Sequence, residues 1–212
     1  MKKLLLSIAA AAAVVSCTVI DNLKGLPTAE ADSYARALEH VAKHLDTEEF
    51  KIYHILFSEG EALSDRLFFV SVSMIDRDNR TFTQTFYLDG RAPGNPSADN
   101  GIRKPEYETT VGIDLASLDP QQIAAQIAEA RTTLPEGYTF KSVSLYEVTE
   151  TIPSGNALLD RGKQFGTHET RFVMNFTEDG KEKVSSAGQT SLVYYQATAS
   201  VAPDGTITVE AD

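Results

Sequence analysis

Hydrophobic residues recur along the chain with two different periods, and these periods predict its elements. Apolar residues three or four positions apart between residues 28 and 45 indicate one amphipathic helix, with Thr28 as its N-cap. Alternating or continuous apolar stretches after it indicate strands, and a loop rich in Gly, Pro and Asn, residues 89–101, interrupts them. The predicted strands of this half are residues 50–57, 66–76, 81–88 and 107–115.

The second half of the chain repeats this order. Asp119 followed by Pro120 and Gln122 is a helix-start signature, and an apolar stripe follows it. The strands predicted after this helix are residues 138–148, 169–176, 191–201 and 206–210. An antiparallel sheet with one apolar face must cover that face, and each half offers one helix to do so.

The repeated order predicts an α+β chain of two tandem units, each a helix packed on an antiparallel sheet of about four strands. The predicted units are residues 28–116 and 117–212. A duplicated unit fits this pattern, and so does a single α+β domain in which the order recurs. The pattern also leaves open whether the units share one sheet.

The start of the chain has a different pattern, with two lysines followed by a run from Leu4 to Val15 that is apolar except for Ser7. A run of about twelve residues is typical of a signal peptide and too short to span a bilayer, which takes about 20. The residues Val14-Val15-Ser16-Cys17 then resemble the lipobox of bacterial lipoproteins. We therefore expect residues 1–16 to be a cleaved signal peptide and residues 17–27 a lipidated tether.

The lipoprotein resemblance implies a diacylglycerol group on Cys17 and an acylated amine. Each buried methylene contributes about 0.8 kcal/mol of membrane affinity, so several acyl chains form a durable anchor. The residue after the cysteine is Thr18 rather than Asp, and this resembles the pattern in outer-membrane lipoproteins of Gram-negative bacteria. The expected location is the bacterial envelope, anchored in the outer membrane and facing the periplasm. An ordinary secretory peptide with a chance cysteine, or a buried N-terminal helix, is the alternative.

The net charge and the cysteine content restrict the classes of partner that the chain is expected to bind. The chain carries a net charge of −11, and cleavage after residue 16 removes two lysines and leaves −13. This acidic balance argues against nucleic acid and against anionic lipid as a ligand of the folded part. Cys17 is the only cysteine, so the mature chain has no internal disulfide. We expect no cofactor and no metal, and two partners: the membrane, through Cys17, and a protein of unknown identity.

Candidate metal ligands are few. His40 and His44 are four positions apart on the first helix, a spacing that can hold one metal ion. No third ligand lies nearby in sequence, so we expect two exposed, solvated histidines. Asp76, Asp78 and Asn79 cluster at a hairpin turn, but their spacing falls short of a calcium loop, and an ordinary polar turn is expected.

A catalytic group is offered only by His168, which is followed by Glu169. A hydrolase could combine this histidine with Ser154, Ser185 or Ser186 as nucleophile. The chain has no GxSxG motif to support that arrangement, and serines in turns are usually turn residues. We therefore assign no catalytic residue.

The loop at residues 151–167 is the part of the sequence that folding explains least. Long loops without secondary structure are uncommon in compact domains and often bind something. This loop mixes apolar and charged residues, although it could also fold over its own sheet edge. The candidate binding residues are Leu158, Leu159, Arg161, Lys163 and Phe165.

Three functions remain open at this level. The order of elements resembles tandem β-lactamase-inhibitor proteins and PepSY-like periplasmic domains, a resemblance that implies a fold and no functional residues. The first hypothesis is a non-enzymatic, membrane-anchored binding or assembly module. The second is a hydrolase or protease inhibitor of the tandem type. The third is an anchored hydrolase that uses His168.

Overall fold

Two α-helices and ten β-strands are present in the computed structural model, which describes residues 25–99, 105–154, 156–186 and 189–211. The helices are α1 (Ala31–His44) and α2 (Pro120–Arg131), and a short 3-10 helix, Leu115–Ser117, precedes α2. The strands are β1 (Lys51–Glu59), β2 (Leu67–Ile75), β3 (Thr81–Tyr87), β4 (Ser97–Ala98), β5 (Tyr138–Glu150), β6 (His168–Glu178), β7 (Lys183–Ser186), β8 (Gln189–Leu192), β9 (Tyr195–Val201) and β10 (Ile207–Ala211). β7 and β8 form a separate hairpin.

The prediction of two tandem units, each a helix packed on an antiparallel sheet of about four strands, is wrong. Eight strands form one antiparallel sheet in the order β10-β9-β6-β5-β1-β2-β3-β4, with β1 and β5 paired at its centre. Both helices contribute to a single hydrophobic core and contact each other. Each half of the chain would otherwise leave one strand, β1 or β5, with unpaired backbone groups, and pairing the two strands satisfies both edges.

The predicted strand at residues 107–115 is also wrong. The amides of Thr109 and Thr110 donate to the carbonyl of Glu106, which makes a turn, and Gly112 has a positive φ of 95°. This segment is tied to the start of β1, because Lys51 Nζ donates to two of its carbonyls. The strand that pairs with β3 is instead the two-residue β4, inside the predicted loop.

The helix starts differ in how well the sequence predicted them. Asp119 is the N-cap of α2, as predicted, since its side chain accepts a hydrogen bond from the amide of Gln121. Thr28 is not the N-cap of α1, which begins at Ala31. Its hydroxyl instead accepts a hydrogen bond from the amide of Val143 on β5, 2.8 Å away. Thr28 therefore fixes the incoming chain to the middle of the sheet.

Both helices cover the same face of the sheet. Tyr34 of α1 is fully buried, and its ring packs edge-on against Phe57 of β1 and Tyr146 of β5. The hydroxyl of Tyr146 donates to Gln126 of α2 at 2.6 Å. The opposite face carries mainly Ser, Thr and charged side chains, among them the pair Glu147 and Arg171.

The sheet has two ends that matter for function. At the entry end, β1 finishes and β2 begins, and the carbonyl of Leu26 accepts a hydrogen bond from the amide of Leu67 at 2.8 Å. The start of β5, the end of β6 and the start of β9 lie at the same end. At the flap end, β5 finishes and β6 begins, and residues 151–167, the flap, connect them.

Candidate functional site

The flap has an ordered base. The amide of Thr151 donates to the carbonyl of Thr167 at 2.8 Å, and the amide of Gly166 donates back to the carbonyl of Thr151 at 2.9 Å. Gly166 has a φ of 74°, and a Cβ atom there would lie 2.6 Å from Cγ2 of Val111. Glycine is thus required both for the backbone conformation and for close contact with Val111.

A buried carboxylate fixes the segment beneath the flap. Glu150, at the end of β5, is 2% exposed and accepts hydrogen bonds from the amides of Val111 and Gly112, at 2.8 and 2.7 Å. The amide of Ile113 then donates to the carbonyl of Ile52. Since Val111 contacts the flap base, Glu150 indirectly holds the flap in position.

The flap tip turns its acidic group inward and its other side chains outward. The carboxylate of Asp160 accepts from the amide of Ser154 through both oxygens at 3.0 Å. The five candidate binding residues are all exposed, and the exposed fraction of Leu158 is 78%. Val111 beside the flap base is 66% exposed. Apolar side chains that are exposed together in this way are typical of an interaction surface.

An open groove of about 660 Å³ lies beside the flap. Its lining includes His168, Lys163 and Arg171, together with hydroxyl groups from β9 and β10. The serines that could serve a hydrolase lie elsewhere: Ser154 is in the flap with its hydroxyl facing Asn156, and the other two are on β7. Among the described residues that line the groove with His168, Ser154 is not present, and β7 follows the end of β6, whereas His168 begins β6.

An ion-pair cluster on the sheet face away from the helices was not predicted from the sequence. Glu147 contacts His54 Nε2 at 3.2 Å through one oxygen and Arg171 Nε at 2.7 Å through the other. The hydrogen bond with His54 lowers the pKa of Glu147 most; burial raises it, and Arg171 lowers it further. Strand register alone brings these residues together, so no local motif could have revealed them.

The two helical histidines form a pair, and the expectation that both are solvated is wrong for His40. The rings are 4.7 Å apart, and His44 is exposed. The Nε2 atom of His40 is buried without a hydrogen-bond partner in the described structure, and its ring meets Phe86 edge-on. Burial lowers the pKa of His40, and His44 and Lys43 lower it further. A buried Nε2 atom is poorly placed to bind a metal ion.

The acidic turn between β2 and β3 is satisfied by its own residues. Asp76 is 4% exposed and accepts from the amides of Asp78 and Arg80 and from Arg80 Nε. Burial raises the pKa of Asp76, but these hydrogen bonds outweigh that effect and lower it overall. Nowhere in the described ranges do three or more His, Cys, Asp or Glu side chains form a cluster able to hold a metal ion.

The predicted signal peptide and Cys17 lie outside the described residues. In the part of the chain that is described, neither helix is long and apolar enough to cross a membrane. Comparison of the chain with protein-family models, with curated proteins and with solved structures finds no match.

Proposed function

We propose that this protein is a membrane-anchored envelope lipoprotein that acts as a non-enzymatic binding module, with the flap as its contact for a protein partner. The observation that carries this proposal is the exposed apolar tip of the flap, Leu158, Leu159 and Phe165, on an ordered base. The anchor is Cys17, on the strength of its lipobox resemblance.

The order of the flap base favours binding. A loop whose ends are fixed by hydrogen bonds loses less conformational entropy when its tip is buried by a partner. Gly166 and Thr151 fix the ends of this loop, and Glu150 holds the segment under it. Loops presented on a rigid sheet are a common way for proteins to carry binding residues.

The charge of the flap indicates the kind of partner. Arg161 and Lys163 are exposed, whereas the carboxylate of Asp160 is bonded within the flap. The tip is therefore a basic and apolar spot on a chain whose net charge is −11. A protein surface with an apolar pocket and an acidic rim is complementary to it.

The location of the flap suits an anchored protein. The described chain starts at the entry end, where Leu26 joins β2, and the flap lies at the other end of the strands. With the lipid on Cys17 in the membrane, the flap end can point away from the bilayer. That orientation leaves the tip accessible to a protein partner.

Site-specific photo-crosslinking tests the binding surface. A photoreactive amino acid at Phe165 of the full-length protein should give a discrete adduct with a protein in intact cells. The matched control carries the same group at Gln121, an exposed position on α2, and should give none. Leu158→Asp should weaken the Phe165 adduct, because a charge in the apolar contact opposes burial. Equal labelling at Phe165 and Gln121 would contradict the flap as the binding surface.

The anchor is tested separately by Cys17→Ala. This variant should lose the lipid and leave the detergent phase on phase partitioning, whereas the wild-type protein should stay in it. Mass spectrometry of the N-terminal peptide identifies the modified residue. A Cys17→Ala protein that is processed and still partitions wholly into detergent would rule out lipidation at this position.

A further inference from the structure

The entry end carries a second exposed apolar surface, formed by Leu192, Tyr194 and Tyr195 and called here the Tyr patch. Leu192 ends β8 and Tyr195 begins β9. Their exposed fractions are 52% for Leu192, 39% for Tyr194 and 41% for Tyr195. We propose that the Tyr patch lies in the lipid interface beside the anchor and fixes the orientation of the protein on the membrane. This inference rests on the proposed lipid at Cys17.

The Tyr patch lies at the same end of the sheet as the point where the chain enters. Tyr195 pairs with Phe176 near the end of β6, and the start of β5 pairs with that same end. The incoming chain is fixed near the end of β1, through Leu26 and β2. Antiparallel register thus puts the Tyr patch and the incoming chain at one end, and the flap at the other.

The length of the preceding chain keeps this end close to the bilayer. Eight residues lead from Cys17 to Gly25, and a fully extended chain of that length spans about 28 Å at most. A lipid on Cys17 therefore keeps the entry end within about 28 Å of the membrane surface. Tethering raises the effective concentration of membrane at the Tyr patch, so a small apolar surface is sufficient for stable contact.

The residues of the Tyr patch have the chemistry of a membrane interface. Tyrosine has an apolar ring and a polar hydroxyl, and it is enriched where hydrocarbon meets headgroups. The ring of Tyr195 is held against Phe176 and Tyr138, at centroid distances of 5.8 and 5.6 Å. Because Tyr195 is already ordered, it loses little side-chain entropy on insertion.

Two of the carboxylates near the Tyr patch are held in ion pairs, and a third, that of Asp179, accepts a hydrogen bond from the hydroxyl of Thr139. Glu178 at the end of β6 is paired with Lys181, and Glu182 is paired with Lys141. These paired groups carry no net charge, although the whole chain is strongly acidic. The Tyr patch is thus suited to zwitterionic lipid, and anionic lipid adds no attraction.

Depth-dependent fluorescence quenching tests the proposal on the lipidated full-length protein. A lipidated Cys17 has no free thiol, so Tyr194→Cys introduces a single site for a fluorescent label. The protein is placed in phosphatidylcholine vesicles that contain nitroxide-labelled lipid. The label at residue 194 should be quenched several-fold more than the same label at Leu158→Cys on the flap. Leu192→Cys is a second probe, in case the first variant fails to fold, and should behave like Tyr194→Cys.

The outcomes separate this inference from the anchor on which it rests. Equal quenching at residues 194 and 158 in a protein whose mass shows the lipid overturns the orientation and leaves the anchor intact. Stronger quenching at residue 158 does the same. A protein whose mass shows an unmodified Cys17 overturns both the anchor and the orientation.

Discussion

Replacing Glu59 with alanine should strongly destabilise the fold, because the carboxylate of this residue is the acceptor at the centre of a buried polar network. Glu59 is 6% exposed, at the end of β1. One oxygen accepts from the amide of Asp65 at 2.8 Å and from Ser64 Oγ at 3.3 Å. The other accepts from Ser142 Oγ and from Asn175 Nδ2, both at 2.9 Å.

The expected loss in free energy of unfolding depends on which hydrogen bonds the partners of Glu59 keep in the variant. Asn175 and Ser142 stay bonded to each other at 3.0 Å, so part of the network survives. The amide of Asp65 loses its acceptor, and the removed side chain leaves a cavity. An orphaned buried donor costs roughly 1–3 kcal/mol and the cavity adds about 2 kcal/mol, so Glu59→Ala should cost about 3–5 kcal/mol in total. Glu59→Gln keeps the shape and one acceptor, and serine hydroxyls can rotate to accept, so it should cost only about 1–2 kcal/mol.

The assay is urea unfolding of residues 18–212 followed by circular dichroism. The slope of the free energy of unfolding against urea should stay constant while the midpoint falls. Glu39→Ala on the exposed side of α1 is the control and should stay within about 0.5 kcal/mol of wild type. A loss below about 1 kcal/mol for Glu59→Ala, or equal losses for Ala and Gln, would refute the role given to this carboxylate.

Three further predictions concern other buried polar groups. Glu150→Ala should speed amide hydrogen exchange at Val111 and Gly112, and unchanged exchange would contradict the fixing role of Glu150. Burial lowers the pKa of His40. As the pH falls, the unfolded chain therefore binds a proton at His40 before the folded chain does. The melting temperature should therefore fall as pH drops below about 6.5, and His40→Asn should flatten that fall. Tyr34→Phe should cost about 1–2 kcal/mol in urea unfolding, since a buried carbonyl loses its 2.7 Å hydrogen bond.

Local patterns predicted the elements of this fold better than their arrangement. Alternation identified β2 and β3, and Asp119 marked the start of α2 correctly. Alternation reports which face of a strand is buried and carries no information on which strand lies beside it. The pairing of β1 with β5 was therefore undetermined, and the structure joins the strands of both halves in one sheet. Residues 107–115 also alternate, but they form a loop at the flap end. Hydrogen bonds with the side chains of Lys51 and Glu150 hold this loop in place.

The same distinction applies to the candidate site. The flap was predicted because its unusual composition is contiguous in sequence. Glu150 and the segment it holds are 38 and 39 residues apart, and Glu147 and His54 are 93 residues apart. Glu59 and Asn175 are 116 residues apart. Contacts of this kind depend on register across several strands, and a single sequence does not encode them as a motif.

The central pairing of β1 with β5 also has a consequence for how the protein folds. Phe57 and Tyr146 face each other across this pair, although 88 residues separate them in the chain. Closing a loop of that length costs about 4 kcal/mol of entropy before any contact is gained. β1, β2 and β3 precede β5 in the chain and emerge first during synthesis. The backbone groups on one edge of β1 therefore stay unpaired until β5 can pair with them. Folding should therefore be slow. The unpaired edge of β1 is the site at which a partly folded chain can pair with another copy.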